Sequence, residues 1–457
     1  MKRFFVFLAC LGLVFVGGVF AQEEASAEGV VGVSRALISA EGVVGVSRAL
    51  ISAEASGFVK GFPVAERIDS IPVPPFGQRW VLSEEFSDEF DGAKLDGTKW
   101  YDHHPEWIGR EPGLFIKENV SLKDGFLYLK GSKLKKKQEI FKYGKDLVYD
   151  VGCAAVVSKS KDAHYGYYEC KVKANKSTLS TTFWLSTRGA VSTEGRQPEG
   201  AKKGFFSQEL DILECVGRNG NFSGSKFADG MNCNAHYWFT EGKAPKDDIR
   251  AEGFQLKRPD SKKPSEDFNV YGCWWVDKTK AKFYLNNEQG KEIIFQNKAT
   301  KEPFYFTEPM SLLMVLETYP FPWIELPSDK DLSDDSKNTS IYDWVRAYKL
   351  LDLTEKSHAN NDVFADNINL LNKNRKIDDG LLFVEIAYTA KQDSYIELEL
   401  YNKTRKVASV KFDALSGYGH SWYSIKPPKT ANSSNFTVLA HLKRKYKALA
   451  SDSLAIK

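Results

Sequence analysis

The segment SQELDILECVG, residues 207–217, sets three carboxylates among residues that are typical of a protein interior. In a β-strand, side chains at positions i and i+2 share a face, so Glu209 and Asp211 point the same way and Leu213 should follow them. Glu214 breaks that period of two. A β-bulge would return Glu214 to the face of the other two acids, and bulges are common beside active sites. The segment therefore predicts a bulged strand with an acidic face.

Period-two alternation continues on both sides of this strand. Between Trp80 and about Leu350, short alternating runs are separated by clusters of Gly, Asn, Asp and Lys, and no long segment has a period of 3.6. This pattern favours an antiparallel β-sandwich over an α/β fold. The runs are FLYLKG (126–131), YGYYECKVKA (165–174), NVYGCWWV (269–276), AKFYLN (281–286), SLLMVLET (311–318) and YDWVRAYKL (342–350).

The C-terminal part of the chain repeats the all-β signature on a smaller scale. Residues 353–380, rich in Asp, Asn, Lys and Ser, are predicted to be a linker after a main domain at 77–352. Residues 381–457 hold five strand-length runs and are predicted to form a small β-sandwich, with carbohydrate binding or a covering role both open. Its aromatic residues could form a sugar platform or a core, and they are Tyr418, His420, Trp422 and Tyr423.

The N-terminus predicts export. Lys2 and Arg3 precede an apolar run, and Val-Phe-Ala at 19–21 resembles a signal-peptidase site, so residues 1–21 are predicted to be a signal peptide. Lipid attachment at Cys10 is the alternative. We expect the mature protein to be secreted, periplasmic or at the cell surface, with no membrane segment after signal removal.

A low-complexity lead-in is predicted at residues 22–76. It carries AEGVVGVSRALIS twice, at 27–39 and 40–52, and ends in the Pro-rich IPVPPFG at 71–77. Two copies of so short a unit cannot stack as a solenoid, so the duplication is interpreted as an insertion in a tolerant segment.

Charge and cysteine content exclude two functional classes. The formal net charge of +3 is too weak a bias to indicate a nucleic-acid partner. The five cysteines beyond the signal lack CxxC spacing, which argues against a zinc site. They are predicted to be small buried hydrophobes, with one disulfide left open, and they are Cys153, Cys170, Cys215, Cys233 and Cys273.

Three acids on one strand face fit the hydrolysis of a glycosidic bond. A retaining glycosidase needs two carboxyl groups about 5–5.5 Å apart, one ionised to attack the sugar and one protonated to release the leaving group. Nearby like charges push their proton affinities apart. We assign Glu209 as the nucleophile, Glu214 as the general acid and then base, and Asp211 as the group that orients and polarises Glu209. An exposed acidic strand face is the alternative.

The same residues resemble a known family. ELDILE followed by Val216-Gly217 resembles the ExDxxE signature of glycoside hydrolase family 16. YGYYE with two lysines at 165–173, TFWL at 182–185 and YDWVR at 342–346 resemble neighbouring strands of that family, in the same order. The resemblance implies a β-jelly-roll sandwich with a concave substrate cleft that cuts β-linked glycans internally with retention, and it implies the same order of catalytic roles.

Aromatic and polar residues along the chain are candidates for holding a sugar polymer, because sugar rings stack their C–H faces on aromatic side chains. The tryptophan candidates are Trp107, Trp184, Trp238 and Trp323, and the family resemblance places Trp184 next to the cleaved bond. His236 and Glu317 are predicted partners of substrate hydroxyls. Each of these residues has core packing as the alternative.

The substrate class is indicated by HHPEWIGREPGLFIKENV at 103–120 and by VLETYPFPW at 315–323. These segments resemble the red-algal galactan branch of the family, the agarases and porphyranases. A planar guanidinium at Arg110, beside Trp107, suits a sulfate ester, and the resemblance associates such an arginine with that role. A sulfated galactan of the porphyran type is therefore the first expectation, and agarose is the second. The alternative for Arg110 is a surface arginine at a turn.

The resemblance also implies a structural calcium ion, for which Glu89 and Asp343 are the candidate ligands. Catalysis is expected to need no cofactor, and the protein is expected to be a monomer. Three other functions stay open on the sequence: a non-catalytic glycan-binding protein, a β-glucanase of the same fold, and a transglycosylase. A binding protein would be expected to lack one of the three acids, and all three are present.

Overall fold

Nearly all regular structure in the described residues is β-strand, as the alternating sequence predicts. The structure is a computed structural model, and it describes residues 71–244, 246–428 and 436–456. The predicted signal peptide and most of the lead-in lie outside these residues. No described helix is long and apolar enough to cross a membrane.

Nineteen strands are described in the predicted main domain. They are β1 (Gln78–Leu82), β2 (Trp100–Tyr101), β3 (Gly113–Phe115), β4 (Val120–Lys123), β5 (Phe126–Lys130), β6 (Ser132–Lys142), β7 (Lys145–Ser158), β8 (Gly166–Lys173), β9 (Ser180–Ser186), β10 (Val191–Ser192), β11 (Phe205–Val216), β12 (Met231–Thr240), β13 (Asp247–Arg250), β14 (Phe254–Leu256), β15 (Asn269–Asp277), β16 (Lys280–Leu285), β17 (Glu288–Ile294), β18 (Ser311–Glu317) and β19 (Thr339–Asp352).

Seven more strands follow, and a few short helical segments lie between strands. The strands are β20 (Asn367–Asp378), β21 (Leu381–Ala390), β22 (Ser394–Asn402), β23 (Arg405–Ala414), β24 (Gly417–Ile425), β25 (Phe436–Arg444) and β26 (Lys447–Ile456). The helical segments are α1 (Asp329–Leu332) and 3₁₀ turns at Glu84–Phe86, Lys117–Asn119 and Ser225–Ala228.

Two large antiparallel sheets form the main sandwich, which confirms the predicted all-β fold. Sheet 1 runs in the order β17-β16-β15-β8-β19-β1 and then continues, while sheet 2 runs β13-β12-β11-β9-β18-β7-β2. Alternation divides each strand between two environments: on β9, Phe183 and Leu185 belong to the core between the sheets, whereas Trp184 belongs to a separate cluster with Val157 and Val315. The outward face of sheet 2 therefore carries the candidate site.

Sheet 1 does not end with the main domain. Strand β1 pairs with β19 on one side and with β24 on the other, so the order continues β1-β24-β21-β20. Against this extension lies sheet 3, in the order β23-β22-β25-β26, and a second core fills the space between the two. The C-terminal β-sandwich thus has its own core and shares a hydrogen-bonded sheet with the main domain.

The predicted linker at 353–380 is wrong over its second half, because Asn367–Asp378 forms strand β20. Here Ile368 and Leu370 are buried in the C-terminal core, and β20 pairs with β21. The many Asn and Lys residues of the segment hid this alternation. Of the two alternatives for the C-terminal aromatic set, core packing is confirmed for Tyr418 and Tyr423, which are buried in apolar clusters.

A buried histidine of β24 joins the C-terminal module to the end of the lead-in. His420 is 5% exposed, its Nε2 lies 2.8 Å from Glu385 Oε1, and its Nδ1 lies 2.8 Å from the carbonyl oxygen of Pro74. The ring of Phe76 covers it at 4.2 Å and stacks parallel to Trp422 at 6.0 Å. The Pro-rich end of the lead-in therefore packs against the C-terminal module.

All five cysteines beyond the predicted signal are free and buried, which confirms their prediction as small hydrophobes. Burial raises the pKa of each thiol, so the reactive thiolate form is disfavoured.

A third apolar cluster covers the outer face of sheet 1 and buries one carboxyl group. Glu169 is 1% exposed, and the hydroxyl of Tyr348 donates to its Oε1 at 2.9 Å. Its Oε2 accepts no hydrogen bond from the described residues. Burial raises the pKa of Glu169 to about 8, against the smaller lowering by the hydrogen bond from Tyr348.

The burial of Glu169 predicts a pH dependence of stability. Its folded-state pKa lies above its unfolded value, so the free energy of unfolding should decrease as pH rises from about 4.5 to about 8. Glu169→Gln should remove this decrease and gain stability over the wild type toward pH 8.5, measured by urea unfolding at several pH values. The exposed Glu118→Gln is the control, and parallel curves for wild type and Glu169→Gln would contradict the prediction.

Candidate active site

Strand β11 carries the three acids and contains the predicted bulge. Its register with β12 shifts between Asp211 and Glu214, and its register with β9 shifts between Asp211 and Leu213. The extra residue at this point returns Glu214 to the outward face. Glu209, Asp211 and Glu214 consequently line one cavity, and this confirms that the strand turns all three acids to the same side.

The cavity has a volume of about 470 Å³ and lies on the outward face of sheet 2. Strands β9 and β11 contribute Trp184 and the three acids, and the rest of the lining comes from loops and from β12 and β18. Its remaining side-chain lining comprises Trp107, Arg110, Thr182, Ser186, Thr187, Phe205, Ser207, Trp238, Thr240, Lys246, Glu317 and Tyr319.

Two of the acids form a tight group with the histidine on the next strand. One side-chain polar atom from each of Glu209, Asp211 and His236 lies within 4.8 Å of the other two. The His236 Nε2 atom is 3.4 Å from Asp211 Oδ2. The ring of His236 therefore contacts the middle acid, Asp211. Its role as a partner of substrate hydroxyls stays a prediction.

Glu214 has a different partner. The hydroxyl of Tyr319 donates a 2.5 Å hydrogen bond to Glu214 Oε1. This tyrosine lies two residues beyond the end of β18, so the contact joins β11 to a segment that comes 105 residues after Glu214 in the sequence.

Burial raises the pKa of all three acids, and their other neighbours differ. For Glu209, Glu214 raises the pKa further and Arg110 lowers it. For Asp211, burial and the negative charges of the surrounding carboxylates both raise the pKa, which lies well above its ordinary value. For Glu214, the hydrogen bond from Tyr319 lowers the pKa against burial. Burial and the surrounding negative charges therefore favour the protonated form of Asp211.

Arg110 lies at one side of the cavity in an aromatic surround. Its Nε donates to Glu317 Oε2 at 3.1 Å, and its guanidinium carbon lies 5.5 Å, 5.6 Å and 5.3 Å from the ring centres of Trp107, Tyr319 and Phe321. Glu317 is 3% exposed. The structure therefore places Glu317 as the partner of this arginine, a contact that the sequence did not indicate.

The predicted tryptophans occupy different positions along this surface. Trp107, Trp184 and Trp238 line the cavity. Trp323 lies outside it, 47% exposed, and stacks parallel to Phe321 at 5.3 Å, which places it one ring beyond Arg110.

A family model described as "Beta-porphyranase A-D, GH16 domain" matches residues 80–350. The chain belongs to this porphyranase branch of glycoside hydrolase family 16. The finding confirms the resemblance carried by the ELDILE, TFWL and YDWVR segments, and the protein is accordingly an O-glycosyl hydrolase of the endo-β-galactanase type.

Individual relatives agree with the family. β-Porphyranase D of Zobellia galactanivorans is 44% identical over 383 residues, which cover 81% of this chain and 86% of the relative. β-Porphyranase B of Phocaeicola plebeius is 38% identical over 296 residues, covering 64% and 91%. The crystal structure of a β-porphyranase from the gut bacterium Bacteroides plebeius aligns with a TM-score of 0.53 at 37% identity, covering 62% of this chain and 96% of that one.

The two predicted calcium ligands, Glu89 and Asp343, each form an ion pair within the protein. Both oxygens of Glu89 accept hydrogen bonds from Arg346, at 2.7 Å and 2.9 Å. Asp343 pairs with Lys171 at 2.6 Å. Each carboxylate thus has a cation of the protein as its partner, and the calcium site at Glu89 and Asp343 stays a prediction.

Three further residues in or beside the cavity were missed from the sequence. Tyr319 holds Glu214, Lys246 lines the cavity with its Nζ 4.7 Å from the ring centre of Trp238, and Asp248 lies 2.6 Å from His236 Nδ1. The only sequence signal was the position of Tyr319, two residues after the candidate Glu317. Lys246 and Asp248 follow a turn whose fold depends on the register of β12 with β13.

The Tyr319 contact predicts a pH effect. Tyr319→Phe removes a hydrogen bond that favours the ionised form of Glu214, so the pKa of Glu214 should rise. Since Glu214 is the candidate proton donor, the alkaline limb of the kcat/KM profile on galactan should move to higher pH. The exposed Tyr446→Phe is the control, and an alkaline limb that stays in place or moves down would contradict the prediction.

Proposed function

We propose that this protein is a secreted endo-β-galactanase that cleaves porphyran, a sulfated galactan, with retention at the anomeric carbon. The observation that supports the proposal most directly is a single cavity that contains the three acids of β11 and the aromatic-flanked guanidinium of Arg110. The first element supplies the chemistry for a glycosidic bond and the second recognises an anionic ester.

The first half of the reaction makes a covalent glycosyl-enzyme. Glu209 attacks the anomeric carbon with a carboxylate oxygen while the bond to the leaving oxygen breaks and Glu214 gives that oxygen its proton. In the second half, Glu214 takes a proton from water, the water oxygen bonds to the anomeric carbon, and Glu209 leaves as a carboxylate. Both groups regain their starting protonation states.

Asp211 is suited to donate a hydrogen bond to Glu209, and it does not itself react with the sugar. Its high pKa keeps a proton on a buried carboxyl group, and a neutral carboxyl can donate a hydrogen bond to a neighbouring carboxylate. Such a donor orients Glu209 and stabilises its charge when the sugar leaves.

Arg110 is the proposed sulfate ligand. Glu317 engages its Nε, and its two terminal nitrogens make no hydrogen bond to another residue in the described part of the chain. The guanidinium is planar, always charged and flanked by aromatic faces, which suits paired hydrogen bonds to a sulfate ester. Lys246 adds a second cation to the same cavity.

Sugar rings have aromatic partners throughout this surface. Trp107, Trp184 and Trp238 in the cavity and the exposed Trp323 beyond Arg110 are the proposed stacking platforms. Glu317 acts in this proposal by holding Arg110, and His236 acts through Asp211.

The proposed export rests on residues 1–21, which carry two basic residues, an apolar run and a signal-peptidase-like site. A monomer stays a prediction, as do the boundaries of the N-terminal segments.

The substrate test compares porphyran, agarose, carrageenan, laminarin and mixed-linkage glucan, with products separated by size. The proposal expects oligosaccharides from porphyran first. Release from agarose alone supports the agarase alternative, release from β-glucans alone overturns the galactan assignment, and no release overturns hydrolysis. Reaction in the presence of acceptor sugars separates a hydrolase from a transglycosylase, and proton NMR of the first anomer formed tests retention.

Arg110→Gln should weaken activity on sulfated galactan selectively. Losing charge-assisted hydrogen bonds worth about 1.5–3 kcal/mol corresponds to a decrease in kcat/KM of about 10- to 100-fold on porphyran. Activity on unsulfated agarose should change far less, and the exposed Arg405→Gln serves as the control for loss of one positive charge. An equal decrease on both polymers would argue against sulfate recognition by Arg110.

Glu209→Ala should abolish turnover while binding persists, because the change removes the attacking group and little of the cavity. Turnover is measured by reducing-end release, and binding by calorimetry with porphyran oligosaccharides. Azide should restore turnover to this variant by taking the vacated position. Wild-type turnover in Glu209→Ala would exclude Glu209 as the nucleophile.

A further inference from the structure

His236 is held between two carboxyl groups by a chain of charged contacts that reaches the surface. On the side away from the catalytic strand, its Nδ1 lies 2.6 Å from Asp248 Oδ1. Asp248 Oδ2 accepts a hydrogen bond from Arg250 Nε at 2.6 Å and forms an ion pair with a terminal nitrogen of the same guanidinium at 2.6 Å. Burial raises the pKa of Asp248, but the hydrogen bond from His236 and the charge of Arg250 outweigh it, so the pKa lies below its ordinary value and the anion is favoured.

The contacts of the imidazole define which nitrogen bears the proton. An ionised Asp248 only accepts, so the proton between the two groups belongs to His236 Nδ1. On the other nitrogen, the side-chain amide of Asn234 donates to His236 Nε2 at 3.0 Å. That amide is oriented by its own oxygen, which accepts from the backbone N–H of Ala235 at 2.9 Å. These contacts make Nδ1 the donor and Nε2 an acceptor with its lone pair.

This tautomer has a consequence for the middle acid. Asp211 Oδ2 lies 3.4 Å from His236 Nε2 and accepts no hydrogen bond from the described residues. A carboxylate oxygen there would face a lone pair in a buried site, which is unfavourable, whereas a protonated carboxyl group is compatible with it. A protonated Asp211 is in turn the form that can donate to Glu209.

We propose that Asp248, clamped by Arg250, is a positioning residue that fixes the tautomer of His236 and thereby keeps Asp211 protonated beside the nucleophile Glu209. The inference rests on the proposed function for the role of Glu209. It extends the reactive group from three acids on one strand to a line of residues across three strands, β11, β12 and β13.

Other charged and titratable groups act on this line and are common to every variant tested. They are Glu214 on β11, Glu317 on β18, Tyr319 beyond it, Arg110 in the loop before β3 and Lys246 before β13. Because none of them contacts Asp248 through a hydrogen bond or ion pair in the described residues, a change at Asp248 reaches the site through His236.

The test is Asp248→Asn in the full chain, with kcat and KM measured on porphyran oligosaccharides across pH. An asparagine amide can donate to Nδ1, which moves the imidazole proton to Nε2 and turns it toward Asp211. That proton stabilises ionised Asp211, whose charge then raises the pKa of Glu209. The acidic limb of kcat/KM should move up by about 0.5–1 pH unit, and kcat should fall about tenfold or more with KM nearly unchanged.

Two further variants distinguish positioning from a merely structural contact. Asp247→Asn changes an exposed acid one residue away and should leave the profile in place. Arg250→Gln changes a half-exposed residue and removes the ion pair with Asp248. It should move the acidic limb in the same direction as Asp248→Asn, but by a smaller amount. If Asp248→Asn does not fold, Arg250→Gln decides the question.

An unmoved acidic limb in the folded variants overturns the inference, even where the midpoint of thermal unfolding falls. Failure of the proposed function has a different signature, because the wild type itself would then release no oligosaccharide from porphyran.

Discussion

The bulge in β11 is the constraint on which the site depends. Without the extra residue between Asp211 and Glu214, the period of two would turn Glu214 into the core, on the same face as Ile212. The strand would then give the cavity Glu209 and Asp211 but no Glu214, the partner that a retaining mechanism needs. The bulge costs some ladder hydrogen bonding. Long, regular pairing of β11 with both β9 and β12 on either side of the irregularity keeps the strand in place.

Carboxylates gathered on that face repel one another, and cations and hydroxyl donors at the edges of the cavity reduce this repulsion. Arg110 lowers the pKa of Glu209, Glu214 and Glu317, whereas the hydroxyl of Tyr319 acts on Glu214 and the indole of Trp238 acts on Glu209. Burial alone would raise the pKa of every one of these acids in the same direction. The unequal neighbours separate their proton affinities, so that one group can be ionised while another keeps a proton.

Local pattern predicted the strand and its bulge, because both depend on spacing within a few residues, and the family resemblance predicted the placement of Trp184 at the site. Contacts that depend on the register of distant strands were not predictable: Arg110 meets Glu317 and Glu214 meets Tyr319 only after β18 has taken its place. The same limit explains Asp248, which reaches His236 through the pairing of β13 with β12. Strand β20 was missed because its apolar residues are few among Asn and Lys.

Strand β1 pairs with β19 on one side and with β24 on the other, and this limits where the chain can be truncated. A fragment that stops at residue 352 would keep the reactive groups but expose the side of β1 that β24 covers, together with the buried Arg79, whose guanidinium donates to backbone carbonyls of Glu355 and Ser416. An open strand edge of this kind invites pairing with another molecule. A recombinant fragment trimmed to the family domain would therefore self-associate through this edge. In the full chain, the C-terminal sandwich covers the edge by pairing β24 with β1.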